Sequence, residues 1–194
     1  MIPASTLIGR LLDQLQEAEI PFMVGGSFAS SAWGIPRQSL NLDVEVRVDG
    51  SHVDRLYELT HTDYLGSISQ IHEALERRGH FRSFQILHIE ETFKIDFFLA
   101  EDDPYTSSAF ARAIAFELAP GHAFPFKSPE DILVTKLRWF QLGNRVSDKQ
   151  WNDIVQVLEV QHGKLDGGYL EFWCDHFGVL DLLFQAQMQI IGSD

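Results

Sequence analysis

The stretch Ser39–Val46, with the sequence SLNLDVEV, places three side chains of metal-ligand type on one side of a short alternating segment. Apolar and polar residues alternate as in a strand with one face toward a core, so Asn41, Asp43 and Glu45 share the other face. Neighbouring carboxylates on one face repel unless a positive group lies between them. The pattern is typical of a metal-binding strand, of an altered metal site, or of the solvated face of an edge strand.

Asp96 is a second candidate, in the segment FKIDFFLA, where apolar residues alternate with Lys94 and Asp96. An ionised aspartate among apolar neighbours costs free energy unless it is paired or coordinates a cation. Two interpretations therefore stay open for Asp96. It is a carboxylate that binds a cation, or it forms a structural ion pair with Lys94 or with an arginine.

Gly25, Gly26 and Ser27 stand between a short apolar segment and a short helical one. Glycines let a ligand approach the backbone closely, and the N–H groups at a helix start attract phosphate, although such a turn alone is a weak signal. Together with the acidic strand and Asp96, the turn supplies the parts for two-metal phosphoryl chemistry. Carboxylates bind Mg²⁺, and a further carboxylate accepts the proton of an attacking hydroxyl.

The elements that must position these residues are strands and helices of an α+β fold. Periodicity predicts a first helix ending near Ile20, strands over 21–24 and 40–48, a short helix over 28–34, and helices near 51–60 and 69–78. Strands over 84–89 and 92–100 pair through a tight turn. A polar, turn-rich stretch follows.

The character of the chain changes at Ser128, where SPEDILVTKLRWF begins with a capping serine, a proline and two acids. Three more helical periods follow. We therefore predict an α+β domain over residues 1–126 and a helical C-terminal region over residues 127–194 that packs on it.

Composition excludes several classes of function. The 194 residues carry a net charge of -13, from 28 acidic and 15 basic residues, so we expect no binding to long nucleic acids, which requires clustered Lys and Arg. The single Cys174 excludes an intramolecular disulfide and a cysteine zinc cluster. Neither a signal peptide nor a membrane span is evident, and a soluble cytoplasmic protein without a membrane partner is the expectation.

The segments VGGSFASSAWGIPRQSLNLDVEV and FKIDFFL resemble the polymerase-beta-like minimal nucleotidyltransferase superfamily. Its signature is Gly-Ser, then Asp-x-Asp on a strand, then a third Asp on a neighbouring strand. The chain is most similar to small bacterial proteins related to the abortive-infection-type nucleotidyltransferases, over about residues 21–183. The resemblance implies a nucleotidyltransferase-like mixed sheet flanked by helices. It also implies transfer of a nucleotidyl group from a nucleoside triphosphate (NTP), dependent on Mg²⁺ or Mn²⁺, to an acceptor that differs between members.

Matched by position to this family, Gly25, Gly26 and Ser27 correspond to the phosphate-binding turn and Asp96 to the third carboxylate. Lys136 and Asp153 match positions that recur in this group, and a lysine at such a position can reach a triphosphate. A solvated helix lysine is the alternative for Lys136. The residues expected to assist the triphosphate are Arg37, Lys94 and Lys136.

Arg37 and Ser39 match the Arg-x-Thr segment that usually precedes the acidic pair. Counted from them, Asp-x-Asp falls on Asn41 and Asp43, so an amide stands where the family has its first carboxylate. In a shifted register, Asp43 and Glu45 form the pair instead. The metal ligands implied are Asn41, Asp43, Glu45 and Asp96.

The leading hypothesis is a metal-dependent nucleotidyltransferase in which Asp43 binds metal and Asp96 acts as ligand and general base. The acceptor stays open between a protein hydroxyl, an RNA end and a small molecule. The main alternative is a nucleotide-binding or protein-interaction module that kept the fold and lost catalysis, because an amide oxygen carries no charge for Mg²⁺. A third hypothesis is a component of toxin–antitoxin type whose role depends on a partner protein.

Overall fold

A computed structural model of the protein describes residues 4–79 and 82–192. Its contacts divide the chain into two compact units. The first comprises residues 1–25 and 39–126, and the second comprises residues 26–38 and 127–194. In the described part of the chain, no helix is long and apolar enough to cross a membrane.

Seven strands of the first unit form one mixed sheet within the described residues. They are β1 (Phe22–Val24), β2 (Asn41–Val46), β3 (Tyr64–Leu65), β4 (Ser83–His88), β5 (Lys94–Leu99), β6 (Ile114–Ala119) and β7 (His122–Phe126). Their spatial order is β3-β4-β5-β2-β1-β7-β6. The sheet is mixed because β2 runs parallel to β5 and antiparallel to β1. This is the α+β class of fold, a mixed sheet flanked by helices, that the sequence predicts.

The helices belong to both units. They are α1 (Ala4–Glu17), α2 (Gly26–Trp33), α3 (Val53–Thr60), α4 (Ile68–Glu76), α5 (Pro104–Ala111), α6 (Pro129–Leu142), α7 (Asp148–Val160), α8 (Gly167–His176) and α9 (Leu180–Ile191). The first unit contains α1, α3, α4 and α5, and the second contains α2 and α6 to α9. The predicted helices in the N-terminal half and the four predicted helices after Ser128 are confirmed.

Strict alternation in β2 and β5 separates a buried face of the sheet from a polar one. Leu42 and Val44 on β2 and Ile95 and Phe97 on β5 are all 0% exposed and belong to the core of the first unit. The residues between them are only partly buried. The candidate ligands therefore lie on the polar face, as their spacing predicts.

β2 is the fourth of the seven strands and has a neighbour on each side. Interpreting Asn41, Asp43 and Glu45 as the solvated face of an edge strand is therefore wrong. The pairings that make β2 central involve β5, more than fifty residues later in the chain. Local alternation carries no information about such distant partners, because it is the same for edge strands and for half-buried central strands.

The stretch after Asp103, predicted to be turn-rich, contains α5 and the antiparallel β6–β7 hairpin. Asp103 caps α5 by accepting a hydrogen bond from the N–H of Thr106 through Oδ1, and Pro104 occupies the first turn. This combination is a standard helix-start signal, the same kind that marks Ser128 and Pro129. Gly121 allows the tight turn of the hairpin with a φ of 80°.

In the second unit, α2 contacts α6 and α7, and α7 contacts α6 and α9. Ser128 caps α6 and Ser147 caps α7, each by accepting a backbone N–H. The segment 26–38 thus associates with the helices after residue 126. The two-domain division predicted at residue 126 stays a prediction.

Candidate active site

The central feature of the first unit is a pair of carboxylates on neighbouring strands. Asp43 on β2 and Asp96 on β5 are direct partners in the parallel register. Both lie on the polar face, and the Asp96 side chain is 16% exposed. Two half-buried carboxylates at adjacent Cα positions repel each other, so this arrangement requires positive or hydrogen-bond-donating groups beside them.

Asn41 supplies two of those hydrogen bonds. Its Nδ2 donates to Asp43 Oδ1 at 2.7 Å and to Asp96 Oδ2 at 2.9 Å. A single amide nitrogen therefore bridges the two carboxylates, and their oxygens converge on one point. The amide that stands where the resemblance implies a carboxylate therefore lies in the middle of the cluster.

Lys94 supplies the positive charge. Its Nζ lies 2.9 Å from Asp96 Oδ2, the same oxygen that accepts from Asn41. The structural ion pair considered for Asp96 is therefore present. The Lys94 side chain is 44% exposed, and exposed ion pairs contribute about 0–1 kcal/mol, so a divalent cation can displace this one at small cost.

The donor chemistry of this cluster fits one divalent cation. Asp43 and Asp96 point oxygens at a shared position, and oxygen ligands suit Mg²⁺. Asn41 could add its amide oxygen once the amide group turns over. Across residues 4–79 and 82–192, no group of three or more Asp, Glu, His or Cys side chains is placed to hold a metal ion.

Glu45 lies one side-chain position farther along the same face of β2. Its register partners are Met23 on β1 and Phe98 on β5, whereas Asp43 faces Asp96 directly. The register therefore places Asn41, Asp43, Lys94 and Asp96 in one cluster. The role of Glu45 as a substitute ligand stays a prediction.

Gly25 is the first residue of the glycine turn and belongs to the first unit. Its N–H donates to the Asp43 carbonyl oxygen at 2.9 Å. The next residue, Gly26, begins α2 with a φ of 54°, a left-handed conformation that suits glycine. The predicted turn is thus a strand-to-helix junction. Its phosphate-binding role stays a prediction.

In the second unit, Ser27, Arg37 and Lys136 form a network around the buried Asp153, in which only Arg37 is partly exposed. Arg37 makes two hydrogen bonds to the Asp153 carboxylate, from Nε at 2.8 Å and from Nη2 at 2.7 Å. Arg37 Nη2 also donates to Ser27 Oγ at 2.6 Å. Lys136 Nζ donates to Asp153 Oδ2 at 2.7 Å. One carboxylate is therefore shared by two cations.

The burial of Lys136 excludes its alternative as a solvated helix lysine, because the side chain is only 5% exposed. Lys136 Nζ donates to Asp153 and Gln150, and Arg37 donates to Asp153 and Ser27. These contacts account for both cations as structural partners of Asp153. Their role in binding a triphosphate stays a prediction.

Electrostatics in this network favour the charged forms. Burial raises the pKa of Asp153, but hydrogen bonds from Arg37 and the charge of Lys136 outweigh burial and hold that pKa below its ordinary value. The hydrogen bond to Asp153 likewise raises the pKa of Arg37. The mechanism is the ordinary stabilisation of a charge by opposite charges at hydrogen-bond distance.

The sequence identifies Asp153 only as a position that recurs in the resembled group and assigns it no role, although a signal for one is available. Asp153 precedes Ile154 in α7, and both side chains are buried, as are those of Val157 and Leu158. A carboxylate beside the buried stripe of a helix requires a buried cation. Ser30, whose Oγ donates to Asp153 Oδ2 at 3.2 Å, offers no such signal.

The mixed sheet with its flanking helices gives the chain a nucleotidyltransferase-like fold. Among solved structures, ANT(2'')-Ia in complex with adenylyl-2''-tobramycin has a TM-score of 0.62 at 16% identity, covering 91% of this chain and 98% of that one. An antigenic nucleotidyltransferase-like protein from Paracoccidioides brasiliensis gives 0.54 at 17% identity, covering 94% and 92%. JHP933 from Helicobacter pylori gives 0.53 at 14% identity, covering 97% and 79%.

These structural similarities show the fold of the chain. Membership of the polymerase-beta-like superfamily stays a prediction. The relation to abortive-infection-type proteins stays a prediction. The sequence matches no protein-family model, and no curated protein matches it.

Proposed function

We propose that the protein transfers a nucleotidyl group from an NTP to a hydroxyl acceptor, with Mg²⁺ or Mn²⁺ held by Asp43 and Asp96. The observation that carries the proposal is the direct register of these two residues across β2 and β5, with their oxygens converging on one point. A cation bound there supplies charge that stabilises the transferring phosphate. The nucleotidyltransferase-like fold supports the same reaction class.

The roles of the residues follow from their chemistry. Asp96 accepts the proton of the acceptor hydroxyl. The hydroxyl oxygen bonds to the α-phosphorus, the α–β phosphoanhydride bond breaks, and pyrophosphate leaves. Gly25, Gly26 and Ser27 bind the triphosphate through backbone N–H groups at the start of α2. Lys94, beside Asp96, is a cation that can move onto a phosphate oxygen.

A small-molecule acceptor is the favoured class within this proposal. The net charge of -13 repels a long nucleic acid. The ANT(2'')-Ia structure contains adenylyl-2''-tobramycin, a small molecule that carries a nucleotidyl group. Both observations support a small hydroxylated acceptor over an RNA end.

The test is transfer of label from α-³²P NTPs in the presence of Mg²⁺ or Mn²⁺ and a small-molecule extract of cells. Wild type is compared with Asp43→Asn and Asp96→Asn, which keep shape and remove charge, and with Asp54→Asn, the same change at an exposed position of α3. We expect transfer by wild type and Asp54→Asn, and at least a hundredfold loss in the two site variants. Equal transfer by all four proteins would contradict the proposal.

One observation favours a second candidate, a nucleotide-binding module without catalysis. Asn41 Nδ2 already donates to both carboxylates, so a neutral amide occupies the point where they converge. In that case the protein binds NTP with a dissociation constant that depends on metal, and no label is transferred. Metal-dependent binding of the labelled NTPs in equilibrium dialysis, combined with no label transfer, identifies this second candidate.

A further inference from the structure

A cavity of about 300 Å³ opens beside Asp96 in the first unit. It lies between α4 and the strands β4 and β5, and most of its lining is polar. The polar residues of the lining are Gln70, Glu73, Arg77, Ser83, Gln85 and Asp96. Phe84, buried and stacked on Phe97, adds an apolar part.

The cavity reaches the carboxylate cluster through Asp96. Gln85 on β4 is the direct register partner of Asp96 on β5. Asp96 Oδ2 accepts from Asn41 and Lys94, so one carboxylate belongs both to the cavity wall and to the cluster. A molecule in the cavity can therefore place a hydroxyl against the group assigned as its base.

The lining is suited to hydroxyl groups. Two glutamine amides and the Ser83 hydroxyl each donate and accept hydrogen bonds, as a hydroxyl does. Gln70 Oε1 already accepts from the N–H of Ser67 in the capping box of α4, so a ligand meets Gln70 through its NH₂ group. These groups recognise alternating donors and acceptors and do not require a charged ligand.

The charges in and beside the cavity balance. Glu73 and Arg77 are opposite in sign and four residues apart, at the end of α4. Lys94 lies outside the lining, but its Nζ is 2.9 Å from Oδ2 of Asp96 in the lining. The lining and Lys94 together carry two acids and two cations, so the site has no net charge and favours a neutral ligand.

The volume limits the size of the ligand. About 300 Å³ corresponds to roughly ten water molecules, at about 30 Å³ each. This is the smaller end of the roughly 300–1,000 Å³ range of small-molecule sites. A monosaccharide or a cyclitol fits this space.

We propose that this cavity binds the acceptor, and that the acceptor is a neutral, hydroxyl-rich molecule of monosaccharide size. The assignment of the bound molecule as the acceptor rests on the proposed function. The reacting hydroxyl gives its proton to Asp96 and its oxygen to the α-phosphorus, and pyrophosphate leaves.

The binding test uses the full-length protein without metal or nucleotide. Backbone amide NMR signals are followed during titration with myo-inositol and glucose, and with gluconate and glucosamine as charged molecules of similar size. We expect at least one neutral probe to shift the signals of Glu73, Ser83 and Gln85, and to bind at least tenfold more tightly than either charged probe. Shifts by no neutral probe, or tighter binding of a charged one, overturn the inference.

Matched variants locate the site. Gln85→Leu removes the amide next to Asp96, and Glu73→Gln disturbs the charge balance, whereas Glu76→Gln makes the same change on α4 outside the lining. We expect Gln85→Leu to weaken binding of the neutral probe at least tenfold and Glu76→Gln to leave it unchanged. Unchanged binding by both Gln85→Leu and Glu73→Gln places the probe elsewhere and overturns the inference.

The two proposals can fail separately because this binding needs no catalysis. A probe that binds in the cavity is then supplied as the acceptor in the label-transfer assay. Binding without transfer to that probe overturns the acceptor role. Transfer to a molecule that leaves the signals of Ser83 and Gln85 unshifted overturns the cavity and keeps the proposed reaction.

Discussion

Asn41 can turn either its amide nitrogen or its amide oxygen toward the two carboxylates. This orientation decides how tightly the cluster binds a cation. Its nitrogen donates to Asp43 and Asp96 in the structure. A cation at the same position requires the amide oxygen of Asn41 instead. The two hydrogen bonds from Nδ2 to Asp43 and Asp96 are then lost. In the proposed function, a cation therefore competes with the Asn41 amide for the same position.

We predict that Asn41→Asp tightens binding of Mn²⁺ at least tenfold. The substitution adds a third carboxylate and removes the competing N–H donor, and carboxylate oxygens are strong ligands for hard divalent cations. Titration calorimetry with Mn²⁺ measures the change. Asn144→Asp, which adds the same charge at an exposed position, is the control with an unchanged dissociation constant. Equal affinity of Asn41→Asp and wild type would show that Asn41 lies outside the metal site.

Asp153 supports a second prediction at the scale of single residues. Asp153→Asn removes the carboxylate from the buried Lys136 and from the partly exposed Arg37. Removing one partner of a buried ion pair, as Lys136–Asp153 is, costs about 3–5 kcal/mol. We expect a loss of this order in the free energy of unfolding, measured by urea denaturation at pH 7. Asp148→Asn, on the exposed side of the same helix, should cost only a few tenths of a kcal/mol, about the value of an acid in the first turn.

The lowered pKa of Asp153 sets the pH dependence of this difference. A carboxyl with a lower pKa in the folded state stabilises the protein above its unfolded pKa, near 3.8, and this contribution is lost as the pH falls through the folded value. The gap between wild type and Asp153→Asn should therefore narrow below about pH 4. A gap that is constant from pH 3 to pH 7 would contradict the assignment.

Individual site residues were predictable where their chemistry conflicts with their surroundings. Asp43 and Asp96 stand out because carboxylates interrupt apolar alternation, and both lie in the cluster. The two interpretations of Asp96 could not be separated from the sequence. A carboxylate that binds a cation and a carboxylate that pairs with Lys94 have the same local sequence pattern. In the structure, Asp96 forms the ion pair with Lys94, and its position also fits a cation ligand.

At the scale of elements, periodicity predicted β2 and β5 together with their buried and polar faces. The spatial neighbours of β2 were not predictable, because hydrogen-bond partners across a sheet leave no mark on the strand's own alternation. The helix α5 was missed for a different reason. The buried residues of α5 are Tyr105, Thr106 and Ala109, which form only a weak apolar stripe. The capping residue Asp103 indicates where this helix starts.

We predict opposite effects for two Gly→Ala substitutions in helical contexts. A Cβ at Gly34, just after α2, would lie 2.9 Å from the Ser30 carbonyl oxygen and 3.2 Å from Val157 Cγ2. At Gly9 in α1 nothing lies within 4 Å. Gly34→Ala should destabilise by about 1–3 kcal/mol through overpacking, and Gly9→Ala should stabilise by about 0.5–1 kcal/mol through helix propensity.

Thermal denaturation of the two variants beside wild type measures both effects. The expected result is a lower melting temperature for Gly34→Ala and a higher one for Gly9→Ala. An unchanged melting temperature for Gly34→Ala would mean that α2 and α7 do not approach closely at this glycine.

At the scale of the whole molecule, the change at residue 126 was visible in the sequence because Ser128 and Pro129 announce a helical region. The association of residues 26–38 with that region was not visible. Arg37 and Asp153 are 116 residues apart, and Trp33 Nε1 donates to the Lys127 carbonyl oxygen 94 residues away. Such contacts depend on the complete tertiary fold and leave no local signal.

We therefore predict that a fragment of residues 1–126 cannot protect residues 26–38. In the full chain α2 contacts α6 and α7, and Arg37 bonds Asp153, all of which the fragment lacks. Trypsin should cleave after Arg37 at least tenfold faster in the fragment than in the full protein, because proteolysis follows the population of the opened segment.

Cleavage after Arg55 in α3, a helix of the first unit, supplies the internal control. If the fragment folds, Arg55 should be cleaved at similar rates in both proteins while Arg37 is not. Equal protection of Arg37 in both would assign residues 26–38 to the N-terminal domain, as the predicted boundary at residue 126 implies. Fast cleavage at both sites would instead show that the sheet unit needs the helical region in order to fold.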